Sequence, residues 1–311
     1  MTSAISWPEG KRFAFTVFDD TDGATLERLR PVYGFLAECG LRTTKSCWPV
    51  AGDPDRGSHP GATCEDPEYR AWVQDLQQQG FEIGWHGATW HGLPRPQIAA
   101  ALDVFAEIFD RDPYVASNHS ESPDSIYWGR DRLSGSRAWI YNVLTAFRNW
   151  KCYRGHVEGG EYFWGDLCRD KIKYYRSFVF LDANTLRACP FMPYHDPRRP
   201  YVNYWFASSE GGNVERFNRC LSEQNQDRLV EQGGACIMYT HFAQGFAEHG
   251  QLHPRFKTLI RRLARLDGWF VPAGTLLDYL VELRGHHEIT PAERRTLERK
   301  WLWEKLRVGT T

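Results

Sequence analysis

The stretch that decides the fold is Phe13-Ala14-Phe15-Thr16-Val17-Phe18-Asp19-Asp20-Thr21-Asp22-Gly23, in which an uncharged run of strand length ends on adjacent carboxylates. Six consecutive residues without charge and without polar alternation predict a strand that is buried on both faces, as in parallel sheets covered by helices. Asp19 and Asp20 follow at its carboxyl end, where ligands and catalytic groups collect in parallel α/β folds. We therefore place the functional site at this end of the sheet.

The adjacent carboxylates Asp19 and Asp20 allow two interpretations. Neighbouring carboxylates repel each other, and a bound cation removes the conflict. In the first interpretation, one Asp ligates a divalent metal and the other acts as a base beside the metal's water. In the second, Asp-Asp-Thr-Asp-Gly is a turn with N-cap side chains, in which Gly23 adopts a positive φ. The stretch alone leaves both open.

The composition predicts a single large α/β domain without an electrostatic footprint for nucleic acid. Of the 311 residues, 42% are hydrophobic and 25% are charged, which excludes disorder, and the net charge of −1 favours neither nucleic acid nor acidic lipid as a partner. The chain has no apolar run long enough for a membrane span and no signal-peptide pattern at its start, so we expect a cytoplasmic protein. The eight cysteines form no Cys-x-x-Cys pair and are expected to be reduced.

Polar residues also follow three later predicted strands. His86 and His91 come after the strand at 81–85, Asn118 and His119 follow the strand that begins at 114, and His241 ends the strand that begins at 235. Two imidazoles and one carboxylate form a recurrent open site for zinc and related transition metals. Asn118 and His119 could orient the Asp pair, contact substrate, or replace one of the earlier histidines on the metal.

Aromatic residues are the unusual feature of the composition. They make up 14% of the chain, with 13 Trp, and many lie in polar or Gly-containing segments. Such rings suit a substrate with flat, weakly apolar faces, although a large core also uses Trp. Our candidate substrate contacts are Asn118 and three aromatic side chains, Trp164, Tyr194 and Trp205.

The order of predicted elements divides the chain into two parts. A regular alternation of strands and helices over residues 1–285 predicts one α/β unit, with an insertion at about 125–210. Residues 286–311 form a helical extension, which Thr290-Pro291-Ala292-Glu293 opens as a capping box. This helix packs either on its own barrel or on a second subunit, which would make the protein a homo-oligomer.

Three motifs resemble those of the polysaccharide deacetylases with a NodB-homology domain (carbohydrate esterase family four). They are Phe-Asp-Asp at 18–20, Glu-Ile-Gly-Trp-His at 82–86 with a second His soon after, and Thr-His at 240–241. The similarity extends over most of residues 11–283 and is closest to an uncharacterised branch of that superfamily.

The resemblance implies a distorted parallel (β/α) barrel with a divalent metal, most simply Zn²⁺. It implies that Asp19 is the general base, that Asp20, His86 and His91 bind the metal, and that His241 is the general acid. It further implies removal of N-acetyl groups from a glycan or a sugar conjugate. The alternatives are a metal-dependent hydrolase of a non-sugar amide or ester, and a glycan-binding protein that has lost turnover.

The chain departs from the family pattern in two places. The family's histidines are four residues apart whereas His86 and His91 are five apart, so His119 competes with His91 as the third ligand. The family's Arg-Pro-Pro-Tyr motif, whose Arg orients the base, is replaced at 117–121 by Ser-Asn-His-Ser-Glu. Arg176 or His119 is therefore the candidate for that orienting role.

Overall fold

The computed structural model describes residues 5–56, 61–120, 122–148 and 152–308. Twelve strands lie within these ranges: β1 (Phe13–Asp19), β2 (Thr44–Cys47), β3 (Glu82–Trp85), β4 (Val115–Ala116), β5 (Tyr174–Phe180), β6 (Tyr194–His195), β7 (Tyr204–Glu210), β8 (Ala235–Thr240), β9 (Ala247–Glu248), β10 (Gln251–Leu252), β11 (Gly268–Phe270) and β12 (His287–Glu288).

The same ranges contain eleven α-helices. They are α1 (Leu26–Glu38), α2 (Pro67–Gln78), α3 (Arg95–Phe109), α4 (Ser136–Leu144), α5 (Gly165–Lys171), α6 (Thr185–Ala188), α7 (Val214–Cys220), α8 (Glu223–Gln232), α9 (Pro254–Ala264), α10 (Ala273–Arg284) and α11 (Pro291–Val308). Three short 3-10 turns, Pro8–Gly10, Pro54–Arg56 and Gly129–Arg132, complete the description.

Seven parallel strands close into a barrel, which confirms the predicted (β/α) barrel. The order is β1-β2-β3-β4-β5-β7-β8, and β8 pairs again with β1. Outside the ring, β11 pairs with β1, β6 pairs antiparallel with β7, and β12 pairs with β6. Because all seven barrel strands are parallel, their carboxyl ends meet at one mouth.

Strand β1 lies between β2 and β8 and is the centre of the core. All seven of its residues are buried, from Phe13 to Asp19, as its uncharged sequence predicted. The helix that follows begins at Thr25, whose side-chain oxygen accepts a hydrogen bond from the Arg28 amide. Pro31 lies inside α1 without ending it.

The range predicted as an insertion, 125–210, contains two members of the barrel itself. Strands β5 and β7 pair with each other and carry the ring from β4 to β8. Helices α4 and α5 lie between β4 and β5 along the chain, and α6 and β6 lie between β5 and β7. The sequence prediction therefore placed β5 and β7 in the insertion. In the structure these two strands complete the closed sheet.

Helix α11 begins at the predicted capping box and packs against its own chain. The Thr290 amide donates to Glu293 Oε2, and the Glu293 amide donates to Thr290 Oγ1. Trp301 is fully buried and stacks on Tyr141 of α4 at 5.8 Å between ring centroids. At 18 residues α11 is the longest described helix, and no helix in the described ranges has both the length and the apolar character to cross a membrane.

Candidate functional site

Asp22, just beyond the end of β1, lies at the centre of three imidazoles. Its Oδ2 is 2.9 Å from His86 Nε2 and 3.4 Å from His241 Nε2, and its Oδ1 is 2.8 Å from His119 Nε2. These histidines follow β3, β4 and β8, so the barrel mouth brings together side chains that are far apart in sequence. The whole cluster is largely buried, with the Asp22 side chain 17% exposed.

The hydrogen bonds around His86 define which of its nitrogens carries a proton. Ser117 Oγ donates its one proton to Asp20 Oδ1 at 3.0 Å, because an ionised carboxylate only accepts. Ser117 Oγ must therefore accept from His86 Nδ1, which lies 2.7 Å away. In the neutral ring, His86 Nε2 then presents a lone pair to Asp22.

His119 is held in the same way by a second serine. Ser122 Oγ donates to the carbonyl oxygen of Trp90 at 3.1 Å and lies 3.3 Å from His119 Nδ1. Since the carbonyl only accepts, His119 Nδ1 is the donor to Ser122. The neutral His119 ring therefore also presents an Nε2 lone pair to Asp22.

His241 faces Asp22 from the end of β8. Its Nδ1 donates to the Gly212 carbonyl oxygen at 2.8 Å, and its Nε2 faces Asp22. Burial disfavours the charged ring, but the hydrogen bond and the charge of Asp22 outweigh it and raise the pKa of His241 to about 9. The contact with Asp22 therefore favours the protonated ring.

The arrangement around Asp22 fits a bound cation. A carboxylate oxygen and an imidazole lone pair 2.8–2.9 Å apart both accept, so either a proton or a cation must lie between them. A divalent cation held by Asp22 together with an imidazole would remove this conflict without placing a further protonated ring in a buried site. Each ring's Nδ1 is meanwhile held by a serine, the outer support that metal-binding histidines ordinarily have.

A second combination of potential ligands overlaps with this one. Asp20, Asp22 and His241 each offer one ligand atom, and these atoms lie within 4.8 Å of one another. Asp20 is already engaged by a guanidinium at both oxygens, and His241 is protonated at Nε2. Asp22, which belongs to both combinations, is therefore best matched with His86 and His119.

Arg176, from β5, makes a buried two-pronged ion pair with Asp20. Its Nη1 lies 2.9 Å from Asp20 Oδ1 and its Nη2 lies 2.5 Å from Oδ2. Burial acts to raise the pKa of Asp20, but the adjacent Arg176 charge outweighs it and lowers that pKa. Asp20 is therefore an ionised carboxylate that Arg176 holds in a fixed orientation.

The Asp19 carboxylate, predicted as the base, is engaged by other donors. Its Oδ1 accepts from the Phe242 amide at 2.7 Å, its Oδ2 accepts from the Tyr33 hydroxyl at 2.9 Å, and the fully buried Lys45 lies 3.4 Å from Oδ2. Burial raises the pKa of Asp19, and Lys45 opposes that shift. Asp19 thus ties α1 and the segment after β8 to the barrel, and its role as the base stays a prediction.

His91, predicted as a metal ligand, is not joined to this cluster by any contact of the described residues. Its Nε2 accepts from the Asp53 amide at 2.7 Å, so that its Nδ1 carries the proton and donates to the Gly92 carbonyl at 3.1 Å. Both ring nitrogens are used to hold the loop that contains Asp53. His91 is therefore held in a neighbouring loop, whereas His119 contacts Asp22.

A tryptophan that the sequence did not single out supports both histidines. Trp48, which follows β2, stacks on His86 at a centroid distance of 6.3 Å and meets His119 edge-on at 5.7 Å. Its Nε1 donates to the His86 carbonyl oxygen at 3.0 Å. The indole fills the space beside the two rings and restricts their rotation.

The four predicted substrate contacts are all buried. Asn118 exchanges two hydrogen bonds with the backbone of Ile126, at 2.8 and 2.9 Å. The other three are less than 4% exposed: Trp164, Tyr194 and Trp205. They stay predictions as substrate contacts, and their surroundings are those of core residues.

Asp124 provides a pH test of this region. Its carboxylate accepts from the Leu93 amide at 3.1 Å, and burial raises its pKa to about 7. The pKa of Asp124 is higher in the folded state than in the unfolded state, so the free energy of unfolding falls as the pH rises from about 4 to 7. Asp124→Asn should remove this dependence on pH. Between pH 5 and pH 8 we expect the wild-type free energy of unfolding to fall by about 3 kcal/mol more than that of the variant. Urea unfolding measures this difference.

The exposed Asp170→Asn variant is the control for that experiment. Asp170 lies at the end of α5 on the surface, and its replacement should leave the pH profile of the wild type unchanged. Parallel pH profiles of wild type and Asp124→Asn would contradict the assignment of a buried proton to Asp124.

Asp22 and Ser117 are the functional residues that sequence reasoning missed. Asp22 was interpreted as part of a turn, although two carboxylates two residues apart at a strand end were a signal for a second ligand. Ser117 had no recognisable signal, because a serine after a strand is common. Arg176 was named as a candidate partner of the base, and the structure pairs it with Asp20.

Comparison with known proteins supports the fold. No protein-family model matches the chain, and no curated protein matches it significantly in sequence. Among solved structures, the chain is similar to a protein from Mycobacterium smegmatis assigned as a polysaccharide deacetylase, with a TM-score of 0.51 and 11% identity over 93% of this chain and 96% of that one. The fold resemblance that the three motifs predicted is therefore confirmed.

Two further structures are matched more distantly. A PuuE allantoinase matches with a TM-score of 0.49 and 12% identity, over 90% of this chain and 93% of that one. A polysaccharide deacetylase from Pseudomonas aeruginosa matches with a TM-score of 0.48 and 12% identity, over 90% of this chain and 94% of that one. At these identities the comparisons concern the fold, and the chemistry has to be argued from the residues of this chain.

Proposed function

We propose that this protein is a metal-dependent hydrolase that removes N-acetyl groups from a glycan or a sugar conjugate. The observation that carries the proposal is the set of contacts around Asp22, whose carboxylate meets the Nε2 atoms of His86 and His119 at 2.9 and 2.8 Å. An ionised, oriented carboxylate and a protonated imidazole flank that set. These are the parts that amide hydrolysis requires.

Asp22, His86 and His119 are the residues that would hold the metal. One carboxylate and two imidazoles suit zinc and related transition metals, and they leave positions open for water and substrate. When bound, such an ion supplies Lewis acidity and lowers the pKa of water toward neutrality. Ser117 and Ser122 keep the two imidazoles in the tautomer that directs Nε2 to the ion.

Asp20 would accept a proton from the attacking water. Its orientation is set by the two-pronged contact with Arg176 and by the hydrogen bond from Ser117. The lowered pKa of Asp20 keeps this carboxylate ionised at neutral pH, so it is ready to accept. Arg176 positions the carboxylate and, through its charge, disfavours premature protonation.

His241 would donate a proton to the departing nitrogen. Its Nδ1 is fixed on the Gly212 carbonyl oxygen, and the raised pKa of about 9 keeps Nε2 protonated at neutral pH. Protonation turns the amide nitrogen into an amine that can leave as the C–N bond breaks. Acetate and a free amino sugar are the expected products.

The alternative of lost turnover rested on the missing Arg-Pro-Pro-Tyr motif. Arg176 contacts Asp20 from β5 instead, so the absence of that motif does not remove the support of the base. The fold shared with a polysaccharide deacetylase supports a carbohydrate substrate. The cytoplasmic location stays a prediction, as does a homo-oligomer formed through α11.

The test is acetate release from a panel of substrates by protein loaded with zinc. The panel contains N-acetylglucosamine oligomers, O-acetylated xylan and a simple non-sugar N-acetyl amide. These substrates distinguish the proposed deacetylase from a hydrolase of a non-sugar amide or ester and from a glycan-binding protein that has lost turnover. We expect release from the N-acetylated sugars and loss of that release after treatment with a chelator. Turnover of the non-sugar amide alone would contradict the carbohydrate substrate, and no turnover with bound zinc would contradict catalysis.

Ser117 provides a milder perturbation of the same site. Ser117→Ala removes the hydrogen bonds to both His86 and Asp20 while leaving their side chains in place. We expect zinc affinity to fall about 10- to 100-fold, as for other outer-shell partners of metal ligands. Competition with a chromophoric chelator measures the affinity. Ser125→Ala, which affects only the His119 carbonyl contact, should have a much smaller effect.

A further inference from the structure

An exposed apolar face lies on helix α4 and the turn that follows it. Its side chains are between 39% and 63% exposed, and they are Trp139, Ile140, Val143, Leu144 and Phe147. The opposite side of α4 is buried through Ala138 and Tyr141. We call the five exposed side chains the α4 face.

The neighbouring helix α11 adds further exposed apolar side chains. Tyr141 of α4 stacks on Trp301 of α11, which joins the two helices. The exposed apolar residues of α11 are Trp303, Leu306 and Val308. Monomeric soluble proteins seldom expose so many large apolar side chains on adjacent elements, and such patches mark interaction surfaces.

The charge of this region is positive, although the whole chain has a net charge of −1. Residues 132–157 contain five Arg or Lys and no Asp or Glu, and residues 291–308 contain six Arg or Lys against three Glu. Arg148 and Arg154 are exposed, and no ion pair of the described residues engages either one. Arg148 directly follows Phe147 in the chain, so the α4 face has an exposed basic residue at its carboxyl end.

We propose that the α4 face docks the protein on the surface of a membrane that contains anionic phospholipid. An amphipathic helix with Trp, Phe and aliphatic side chains on one face and basic residues beside them partitions into the boundary between headgroups and acyl chains. Anionic headgroups complement Arg148 and Arg154. The protein would lie on the membrane without spanning it.

The charge argues against a second copy of the chain as the occupant. A symmetric dimer through this face would bring two acid-free segments together, and like charges at an interface disfavour association. An acidic protein partner would satisfy the charge. The exposed aliphatic and aromatic side chains of the α4 face favour a lipid surface.

The experiment is co-sedimentation of the full chain with vesicles. Vesicles of phosphatidylcholine are compared with vesicles of phosphatidylcholine and phosphatidylglycerol in equal amounts. We expect binding to the anionic vesicles, little binding to the neutral ones, and weaker binding as the salt concentration rises. Absence of binding to anionic vesicles at low salt would overturn the proposal.

Variants locate the binding surface. Trp139→Ser should lower partitioning about ten-fold, since a large apolar side chain no longer enters the lipid, and Arg148→Gln should lower it about five-fold. Leu283→Ser, which replaces an exposed apolar side chain on α10, is the matched control and should bind like wild type. Equal loss in Leu283→Ser, or no loss in Trp139→Ser, would overturn the assignment to the α4 face.

A second measurement distinguishes the other occupants. Sedimentation velocity over a range of protein concentrations without vesicles should show one species for the wild type. A dimer that Trp139→Ser dissociates would assign the α4 face to a second copy and would overturn the membrane proposal.

Discussion

Replacing His119 by Asn is expected to lower the affinity for zinc by more than about 100-fold and to abolish acetate release. The His119 ring contributes one of the two Nε2 atoms that meet the Asp22 carboxylate. Asn has no lone pair at that position, so one carboxylate and one imidazole would remain. Titration of metal-free protein with zinc measures the affinity, and elemental analysis measures the retained metal.

His91→Asn is the matched control for that experiment. His91 lies in the other loop that the sequence proposed for the third ligand, and its nitrogens hold the Asp53 amide and the Gly92 carbonyl. We expect His91→Asn to lose some stability and to keep wild-type zinc affinity. Loss of zinc by His91→Asn with retention by His119→Asn would reverse our assignment.

Replacing Asp20 by Asn is expected to lower the turnover rate by about 10³-fold, the usual contribution of a general base. Zinc binding should be largely kept, because Asp22, His86 and His119 remain in place. The variant also leaves the buried Arg176 without its partner, which costs about 3–5 kcal/mol of stability. Activity and the urea midpoint are therefore measured on the same preparation.

The double variant Asp20→Asn/Arg176→Met separates catalysis from stability. It removes both buried charges, and similar-sized apolar replacements of buried pairs are often close to neutral in stability. We expect the double variant to recover much of the lost stability and none of the lost turnover. Recovery of turnover along with stability would show that Asp20 is a structural residue.

Asp19→Asn completes the comparison of the two carboxylates. It removes a charge that faces Lys45 and receives the Phe242 amide, so it should lower stability. Turnover per folded molecule should fall much less than in Asp20→Asn. If Asp19→Asn has the larger effect on turnover at equal stability, Asp19 is the base.

The candidate site was predictable from the sequence as a location and as a set of residue types. Buried strands that end in Asp, His or Ser were recognisable, and parallel strands bring such ends together. The sequence also indicated His86, His119 and His241. It did not indicate which carboxylate faces them, because Asp19, Asp20 and Asp22 differ only in the direction that the chain gives each side chain as it leaves β1.

What the sequence determined by itself is the parallel α/β class, since uncharged strands that alternate with amphipathic helices are buried on both faces of a sheet, and the resemblance of three motifs implied the barrel. What only the tertiary structure decided is the division of roles at its mouth. Asp19 meets Tyr33 and Lys45, Asp20 meets Arg176, and Asp22 meets three imidazoles. Each carboxylate's role depends on partners up to 223 residues away, and local patterns of charge and hydropathy carry no information about such contacts.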